Sequence, residues 1–308
     1  MQNQRNKSIF NTITLFFFTF FIILFSSCNF TKKPIEQEHE NLFESVKLPP
    51  LSDSESNLND TISRNNSLFK SIKSGPKTFI VQIDIDSDLP DFKVYSDVLD
   101  KKKAFFDFMR PIIINENNKV LKERELILSC LNKKNKGINP DKHEINELTK
   151  LAKKYRIKVS KDNIYPPYRN ILLKIDIIPV ELALVQAANE SAWGTSYFST
   201  KGNNMFGQWC LRKGCGIVPR NRPNDATHEV AVFSDVSQSA NAYIKNLNTH
   251  NAYTKFRIER YKMRLAKEEP TGLALAVGLK NYSGIGMEYV KTIKSMIRVN
   301  RKYMGLEK

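Results

Sequence analysis

Glu190 is the residue whose sequence context best fits acid catalysis. It follows the run Val185–Asn189 near the end of a predicted helix, and Trp193 lies three residues further on, one turn along the same face. Burial against apolar and aromatic groups disfavours a carboxylate, and the negative end of the helix dipole repels it, so both effects raise the pKa of Glu190. Cleavage of a glycosidic bond requires such a protonated acid, because the leaving oxygen must take up a proton. The alternative is a solvated glutamate in a last helical turn.

A group of polar and aromatic residues follows this predicted helix. The turn-forming pair Asn203–Asn204 precedes two aromatic residues, a glycine and a glutamine. Amides bind sugar hydroxyl and acetamido groups, and aromatic rings stack on the apolar faces of sugar rings. The alternative is a structural loop with a core phenylalanine. The candidate substrate-binding residues in and near this stretch are Trp193, Asn204, Phe206, Gln208 and Trp209.

The motifs in these two segments resemble those of a known family. Residues 190–196, with the sequence ESAWGTS, and residues 202–207, with the sequence GNNMFG, are similar to the bacterial endo-β-N-acetylglucosaminidases of glycoside hydrolase family 73. Further motifs, which appear in order along the chain, resemble the Bax branch of that family. The similarity extends from about residue 101 to residue 301. The Bax-like motifs are residues 207–219, 228–231, 246–250 and 282–283.

The resemblance implies a lysozyme-like fold and hydrolysis of the bond after N-acetylglucosamine in peptidoglycan. It implies that Glu190 is the general acid and that Glu229, on a mobile β-lobe, activates water or stabilises the oxocarbenium-like centre. It places Tyr282 in the catalytic cleft, with Tyr289 near it as a substrate-binding residue. The alternative for Glu229 is an exposed strand carboxylate. Residues 284–286 depart from the more polar segment expected after Tyr-Ser.

The sequence supports no metal or nucleotide cofactor. His228 and Glu229 lack the second histidine of a helical zinc-protease motif, and no serine or cysteine lies in a recognisable nucleophile context. The chain has 308 residues, a formal net charge of +16 and a pI near 9.6, which favours polyanionic partners. No aromatic-basic module of the nucleic-acid-binding kind is present. The charge alone leaves anionic lipid and an anionic wall polymer open as partners, and the family resemblance implies the wall polymer, peptidoglycan. The alternative interpretation of the charge is solvated faces.

The N-terminal residues predict export and a lipid anchor. Arg5 and Lys7 precede the apolar run Ile13–Phe25, and small residues then lead to Cys28, as in a bacterial lipoprotein signal. We expect residues 1–28 to form that signal, with Cys28 lipidated after cleavage. The next residue is not the Asp that commonly signals inner-membrane retention, which favours the periplasmic face of the outer membrane. The alternative is a single uncleaved membrane anchor.

The other cysteines agree with an oxidising compartment. Cys210 and Cys215 bracket a short loop and are predicted to form a disulfide, whereas Cys130 is expected to be a buried free thiol. The alternative for the pair is a zinc knuckle, which would need a second Cys or His pair at ligand spacing.

Four segments follow from composition and periodicity. After the signal, residues 29–77 are polar without a sustained period and predict a flexible tether. Residues 78–170 predict a largely helical segment packed on the catalytic domain, with the first helix interrupted at Pro111, and residues 171–308 predict that domain. The helix that carries Glu190 is expected to begin at Pro179 and to stop at Gly194. The remaining predicted elements are strands at Phe79–Ile83 and Thr227–Phe233 and helices at about Gln238–Leu247, Ala252–Ala266, Leu273–Val277 and Met287–Val299.

The sequence therefore predicts a mainly α fold with a small β-lobe (α+β) that carries a peptidoglycan-cleaving glucosaminidase in the cell envelope. Two alternatives remain open at this point. A lytic transglycosylase on the same fold would use one glutamate as acid and then as base, with no attack by water. A non-catalytic, wall-binding lipoprotein would keep the cleft without needing Glu190. Activity on intact sacculi is also open to control by an envelope protein activator.

Overall fold

The computed structural model describes residues 89–158, 168–220, 222–223 and 226–306. The predicted signal, the lipidation site Cys28, the tether and the strand at Phe79–Ile83 lie outside the described residues. Within the described ranges, no helix is both long enough and apolar enough to cross a membrane. The described residues up to 218 and from 227 onward belong to one compact unit, and residues 219–226 group separately. Two backbone hydrogen bonds, from Arg222 to Pro219 and from Ala226 to Pro223, close turns in that separate group.

The first long element, α1, is a single helix over Val98–Asn135. Asp97 caps it, since its side chain accepts hydrogen bonds from the first backbone N–H groups. The prediction that Pro111 interrupts this helix is wrong. Proline leaves the carbonyl of Asp107 without its helical donor, but Asp107 is exposed and water can satisfy that oxygen. Buried residues on both sides of Pro111 hold the helix to the core, among them Met109, Ile112 and Ile113.

A buried ion cluster ties the following elements to α1. Helix α2 spans Lys142–Lys154 and begins with a capping box, and α3 spans Tyr168–Lys174. Two residues after α3, Asp176 is 1% exposed and lies against three arginines. The guanidinium groups hold the pKa of Asp176 well below its usual range against the opposing effect of burial. This cluster therefore fixes the segment after α3 to the helices that carry the arginines. The three arginines are Arg124, Arg260 and Arg264.

Helix α4, over Val180–Glu190, is the central element of the fold. It packs against α1 on one side, and its interior residues from Leu182 to Ala188 are buried. The helix ends at Glu190 rather than at Gly194, because Ala192 and Trp193 already have positive φ angles of 50° and 59°. Trp193 is therefore not one helical turn along the face of Glu190, which corrects the prediction. Helix α5, over Tyr197–Gly202, follows this turn.

The β-lobe is a three-stranded antiparallel sheet. Strands β1 (Trp209–Cys210), β2 (Gly216–Ile217) and β3 (Glu229–Ala231) are arranged in the order β1-β3-β2. Trp209 pairs with Val230, which fixes the register of β1 on the central strand. The predicted strand at Thr227–Phe233 is present, but its ladder is shorter than the alternating pattern. A mainly α chain with a small β-lobe is thus confirmed.

The C-terminal part returns to helices that enclose α4. Helix α9 (Met287–Asn300) packs directly on α4, and α6 (Val236–Thr249) packs on α1. The predicted helices lie within a few residues of those observed. Glu190 is thereby held at the C-terminal end of a buried helix that has neighbours on several sides. The remaining elements are α6 (Val236–Thr249), α7 (Thr254–Leu265) and α8 (Gly272–Leu275), with 3-10 turns at Phe92–Val94, Asn251–Tyr253, Ala276–Leu279 and Arg301–Tyr303.

Candidate active site

Glu190 is a largely desolvated carboxyl group with one oxygen held by two donors. The Tyr289 hydroxyl donates to Oε1 at 2.9 Å, and the Asn189 amide donates to the same atom at 3.1 Å. Burial raises the pKa of Glu190, and the hydrogen bonds from Tyr289 and Asn189 offset part of that rise. The net direction is upward, so this carboxyl keeps its proton at a higher pH than an ordinary glutamate.

The second oxygen of Glu190 lies beside an exposed glycine. Among the described residues, none donates a hydrogen bond to Oε2. Gly207 lies beside it with φ +63°, and a Cβ placed on Gly207 would come within 3.2 Å of Oε2. Gly207 is itself exposed, so the approach to Oε2 is not covered by a side chain there. Because Oε1 already accepts two hydrogen bonds, the proton of the acid form is expected on Oε2.

A chain of buried hydrogen bonds orients the hydroxyl that reaches Glu190. Tyr243 donates its hydroxyl proton to Gln186 Oε1 at 2.6 Å, which leaves Gln186 Nε2 to donate to the Tyr289 hydroxyl at 2.9 Å. The Tyr289 proton is therefore directed to Glu190. Sequence reasoning missed Gln186 and Tyr243. The signal for Gln186 was its spacing, since it lies one helical turn before Glu190 in an otherwise apolar stretch.

Two further tyrosines complete an aromatic wall beside Glu190. Tyr282 stacks on Tyr289 with ring centroids 5.5 Å apart, and its hydroxyl donates to the carbonyl oxygen of Phe206 at 2.8 Å. Tyr253 lies 6.0 Å from the Tyr282 ring, and burial raises the pKa of Tyr253 to about 12. These hydroxyls stay protonated at neutral pH. Tyr282 thus lies in the wall of the site, but its hydroxyl is committed to the backbone rather than to Glu190.

Asn204 and Phe206 differ from their predicted role as substrate contacts. Asn204 is 1% exposed, and its amide donates to the carbonyls of Gln208 and Ala231 while its oxygen accepts the Gln208 backbone N–H. Phe206 is 1% exposed and stacks on Tyr243 at 4.0 Å. The Asn204 side chain joins the loop to β3, and the Phe206 ring joins it to α6 through Tyr243. This stretch is therefore the structural loop with a core phenylalanine, and it places Gly207 beside Glu190.

Gln208 and Trp209 lie at the outer part of the same loop. The Gln208 amide donates to the carbonyl oxygen of Ser239 at 3.0 Å, which fixes the loop to α6. The Trp209 side chain is 48% exposed and stacks on His228 at 4.2 Å. The exposed part of this flat aromatic ring is suited to stacking on a sugar.

Trp193 packs toward the N-terminal helix. Its ring makes edge-to-face contacts with Phe105 at 5.6 Å and Phe106 at 5.3 Å, and Lys102 Nζ lies 5.1 Å from the ring centroid. The sequence predicts that Trp193 shelters Glu190 and binds substrate beside it. The structure instead makes Trp193 part of the junction between α1 and the turn after α4.

Glu229 holds the β-lobe together. It is 4% exposed, and its two oxygens accept hydrogen bonds from the backbone N–H groups of Gly214, at 2.9 Å, and Gly216, at 2.8 Å. The alternative of an exposed strand carboxylate is therefore wrong. Cys210 and Cys215 form a disulfide that closes the same loop, and Cys130 is a buried free thiol. In this arrangement, the carboxylate of Glu229 is occupied by the loop that it supports.

The chain is similar in sequence to known proteins. The family model described as mannosyl-glycoprotein endo-beta-N-acetylglucosaminidase, named Glucosaminidase, matches residues 165–302. Protein bax of Escherichia coli strain K12 is 34% identical over 219 residues, which cover 71% of this chain and 77% of that protein. The chain belongs to the Glucosaminidase family. No solved structure matches it.

The described residues contain one group of potential metal-ligating side chains in close proximity. The sulfurs of Cys210 and Cys215 and a carboxylate oxygen of Glu229 lie within 4.8 Å of one another. Both sulfurs are bonded to each other, however, so they are not thiolates and do not act as strong metal ligands. The chemistry that this site offers is that of a single carboxylic acid. Its proton lies toward an open approach, and fixed donors stabilise the carboxylate that remains after the proton leaves.

Proposed function

We propose that the protein is a peptidoglycan hydrolase that cleaves the glycan strand after N-acetylglucosamine, with Glu190 as the general acid. The observation that carries this proposal is the state of Glu190: burial raises its pKa, and its unpartnered Oε2 faces exposed Gly207. Membership of the Glucosaminidase family supports a glycoside hydrolase, and the motifs near residues 190 and 204 support a bacterial wall substrate.

The reaction follows from these contacts. Glu190 Oε2 transfers its proton to the glycosidic oxygen as the bond from that oxygen to the anomeric carbon breaks. Water then bonds to the anomeric carbon and releases a proton, which restores the acid form of Glu190. While Glu190 is ionised, its charge is stabilised by the hydrogen bonds from Tyr289 and Asn189. The exposed face of Trp209 offers a stacking surface for a neighbouring sugar.

A lytic transglycosylase is the second candidate, and one observation favours it. Glu229 was expected to assist the attack of water, but both of its oxygens accept backbone hydrogen bonds from the disulfide loop. A mechanism with a single glutamate needs no second free carboxylate. In that reaction the substrate's own hydroxyl attacks, and Glu190 takes back a proton after it has donated one. Hydrolysis with help from Glu229 requires the loop over residues 210–216 to release that carboxylate.

Digestion of purified peptidoglycan tests both candidates. We expect the parent protein to release fragments with reducing N-acetylglucosamine ends, whereas a transglycosylase leaves anhydro ends, which differ in mass by one water. Glu190→Gln should lower the rate about 10²–10⁴-fold, as loss of a general acid does. The matched control is Glu125→Gln, since Glu125 is an exposed glutamate on α1, a different helix from the one that carries Glu190. Equal release by Glu190→Gln and the parent would instead support a wall-binding protein without catalysis.

We further propose that the protein acts from a lipid anchor at Cys28 on the periplasmic face of the outer membrane. The signal-like N-terminus and the positive net charge support this placement near an anionic polymer. Cells that express the parent should incorporate labelled fatty acid into the protein, and Cys28→Ser should abolish that label. Binding to sacculi should weaken as salt is raised, because exposed charges are screened. A label that persists in Cys28→Ser would contradict the lipid anchor. An affinity for sacculi that does not change with salt would contradict binding through charge.

A further inference from the structure

A groove apart from the Glu190 opening runs along helix α9. It has a volume of 590 Å³ and lies between the N-terminal part of α1, the turn that holds Trp193 and one side of α9. Its lining combines two lysines, two hydroxyl side chains, one buried amide and three apolar or aromatic side chains. The residues are Lys102, Trp193, Lys291, Thr292, Ser295, Met296, Val299 and Asn300.

Asn300 supplies the observation that points to a ligand. Its side chain lines the groove and is 3% exposed, and its Nδ2 donates to the carbonyl oxygen of Met296 at 2.9 Å. This bond fixes the orientation of the amide, so Oδ1 is the atom left over. Among the described residues, Oδ1 is buried without any hydrogen-bond partner. A buried acceptor without a partner is costly, and an N–H or O–H donor that displaces the groove side chains covering Oδ1 would satisfy it.

The two lysines in the groove favour a negatively charged ligand. Lys102 Nζ lies over the Trp193 ring and has no carboxylate partner among the described residues. Lys291 forms an ion pair with Glu288, but both side chains are about two-thirds exposed, and such surface pairs are weak. A carboxylate in the groove would therefore meet two available cations. A neutral N-acetylated sugar would supply hydroxyl donors but no negative charge to pair with the two lysines.

Helix α9 connects the groove to Tyr289, which donates to Glu190. Tyr289, which holds Glu190, is followed on α9 by Thr292, Met296 and Asn300 at intervals of three and four residues, so all four share one helical face. From Thr292 to Asn300 this face extends about 12 Å at about 1.5 Å per residue. That length accommodates about three or four residues of an extended peptide at about 3.3 Å each.

We propose that this groove binds a short peptide with free carboxylates, namely the peptide stem of the wall polymer. Its backbone N–H groups match Asn300 Oδ1, its carboxylates match Lys102 and Lys291, and its aliphatic side chains match Met296 and Val299. This inference rests on the proposed function, because peptidoglycan is the substrate that brings glycan and carboxylated peptide together. The groove would then anchor the stem while the attached glycan enters the Glu190 opening.

Titration calorimetry with purified stem peptides, released from sacculi by an amidase, tests the proposal without any turnover. The full chain should bind these peptides, and Lys102→Gln/Lys291→Gln should weaken the affinity about tenfold, since two exposed charge pairs are lost. The matched control is Lys103→Gln/Lys294→Gln, which removes the same charge from the same two helices outside the groove lining. The control should change the affinity less than twofold, and peptides with amidated carboxyl groups should bind as weakly as the groove variant does.

Four results would overturn the proposal. They are no binding to the full chain, equal losses in the two double variants, equal affinity for the amidated peptides, and binding of N-acetylmuramic acid in place of the peptide. Binding of the peptide by a protein that does not digest peptidoglycan would refute the proposed function and leave the groove assignment in place.

Discussion

Replacing Tyr289 by phenylalanine should raise the pKa of Glu190. The Tyr289 hydroxyl donates to Oε1 at 2.9 Å, and this hydrogen bond stabilises the ionised carboxylate. A hydrogen bond to a charged group contributes about 1.5–3 kcal/mol, and one pKa unit corresponds to about 1.4 kcal/mol. The Asn189 donor remains, and water can enter from the open side, so we take the lower end of that range. The expected rise is about one unit.

The pH dependence of glycan cleavage measures this shift. A general acid loses its proton as pH rises, so the alkaline limb of kcat/KM reports its pKa. For Tyr289→Phe, this limb should move upward by about one unit. The control is Tyr282→Phe, which removes a hydroxyl from the stacked neighbour that donates to the Phe206 carbonyl instead. An alkaline limb that stays in place for Tyr289→Phe, or that moves equally in both variants, would refute the role assigned to this hydrogen bond.

Three other predictions concern the same site and lobe. Glu190→Gln should stabilise the protein relative to the parent, and increasingly so as pH rises. The pKa of Glu190 is raised in the folded state, so the parent alone loses stability as pH rises through that pKa. A melting temperature raised by the same amount at pH 5 and pH 9 would contradict this. Glu229→Gln should lower the unfolding free energy by about 1–3 kcal/mol, because the NH₂ group of the glutamine side chain would face one of the two backbone N–H donors. Hydrogen exchange at Gly214 and Gly216 should accelerate, and unchanged exchange would count against this role. Gly207→Ala should lower stability by about 1–2 kcal/mol, because φ is +63°, and should lower activity, because the new Cβ would lie 3.2 Å from Glu190 Oε2. Full activity in steady-state assays would contradict the placement of Gly207 beside Oε2.

Local sequence patterns were sufficient for the elements that position the site. The apolar spacing around Val185 predicts helix α4, although the helix ends at Glu190 and not at Gly194 as expected. The predicted helix over Met287–Val299 matches α9 within one residue. The alternating segment around Val230 correctly predicts a strand. These signals are strong because burial on one face imposes the period of the element on its own sequence.

Side-chain destinations could not be predicted in the same way. Asn204 has a residue type suited to sugar binding, yet its amide turns inward and satisfies the backbone of its own loop. Trp193 leaves the face of α4 because the chain takes positive φ angles after Glu190. The hydrogen bond between Tyr289 and Glu190 joins residues 99 positions apart, so no local period encodes it. Such contacts depend on how the elements pack together.

The central claim is that Glu190 is a sheltered acid. The most direct test is a carbon-13 NMR titration of the carboxyl groups in the soluble protein, with the Glu190 signal assigned by its absence in Glu190→Gln. We expect a pKa for Glu190 clearly above the ordinary glutamate value of about 4.3. If the Glu190 carboxyl titrates at or below that value, it is not a sheltered acid.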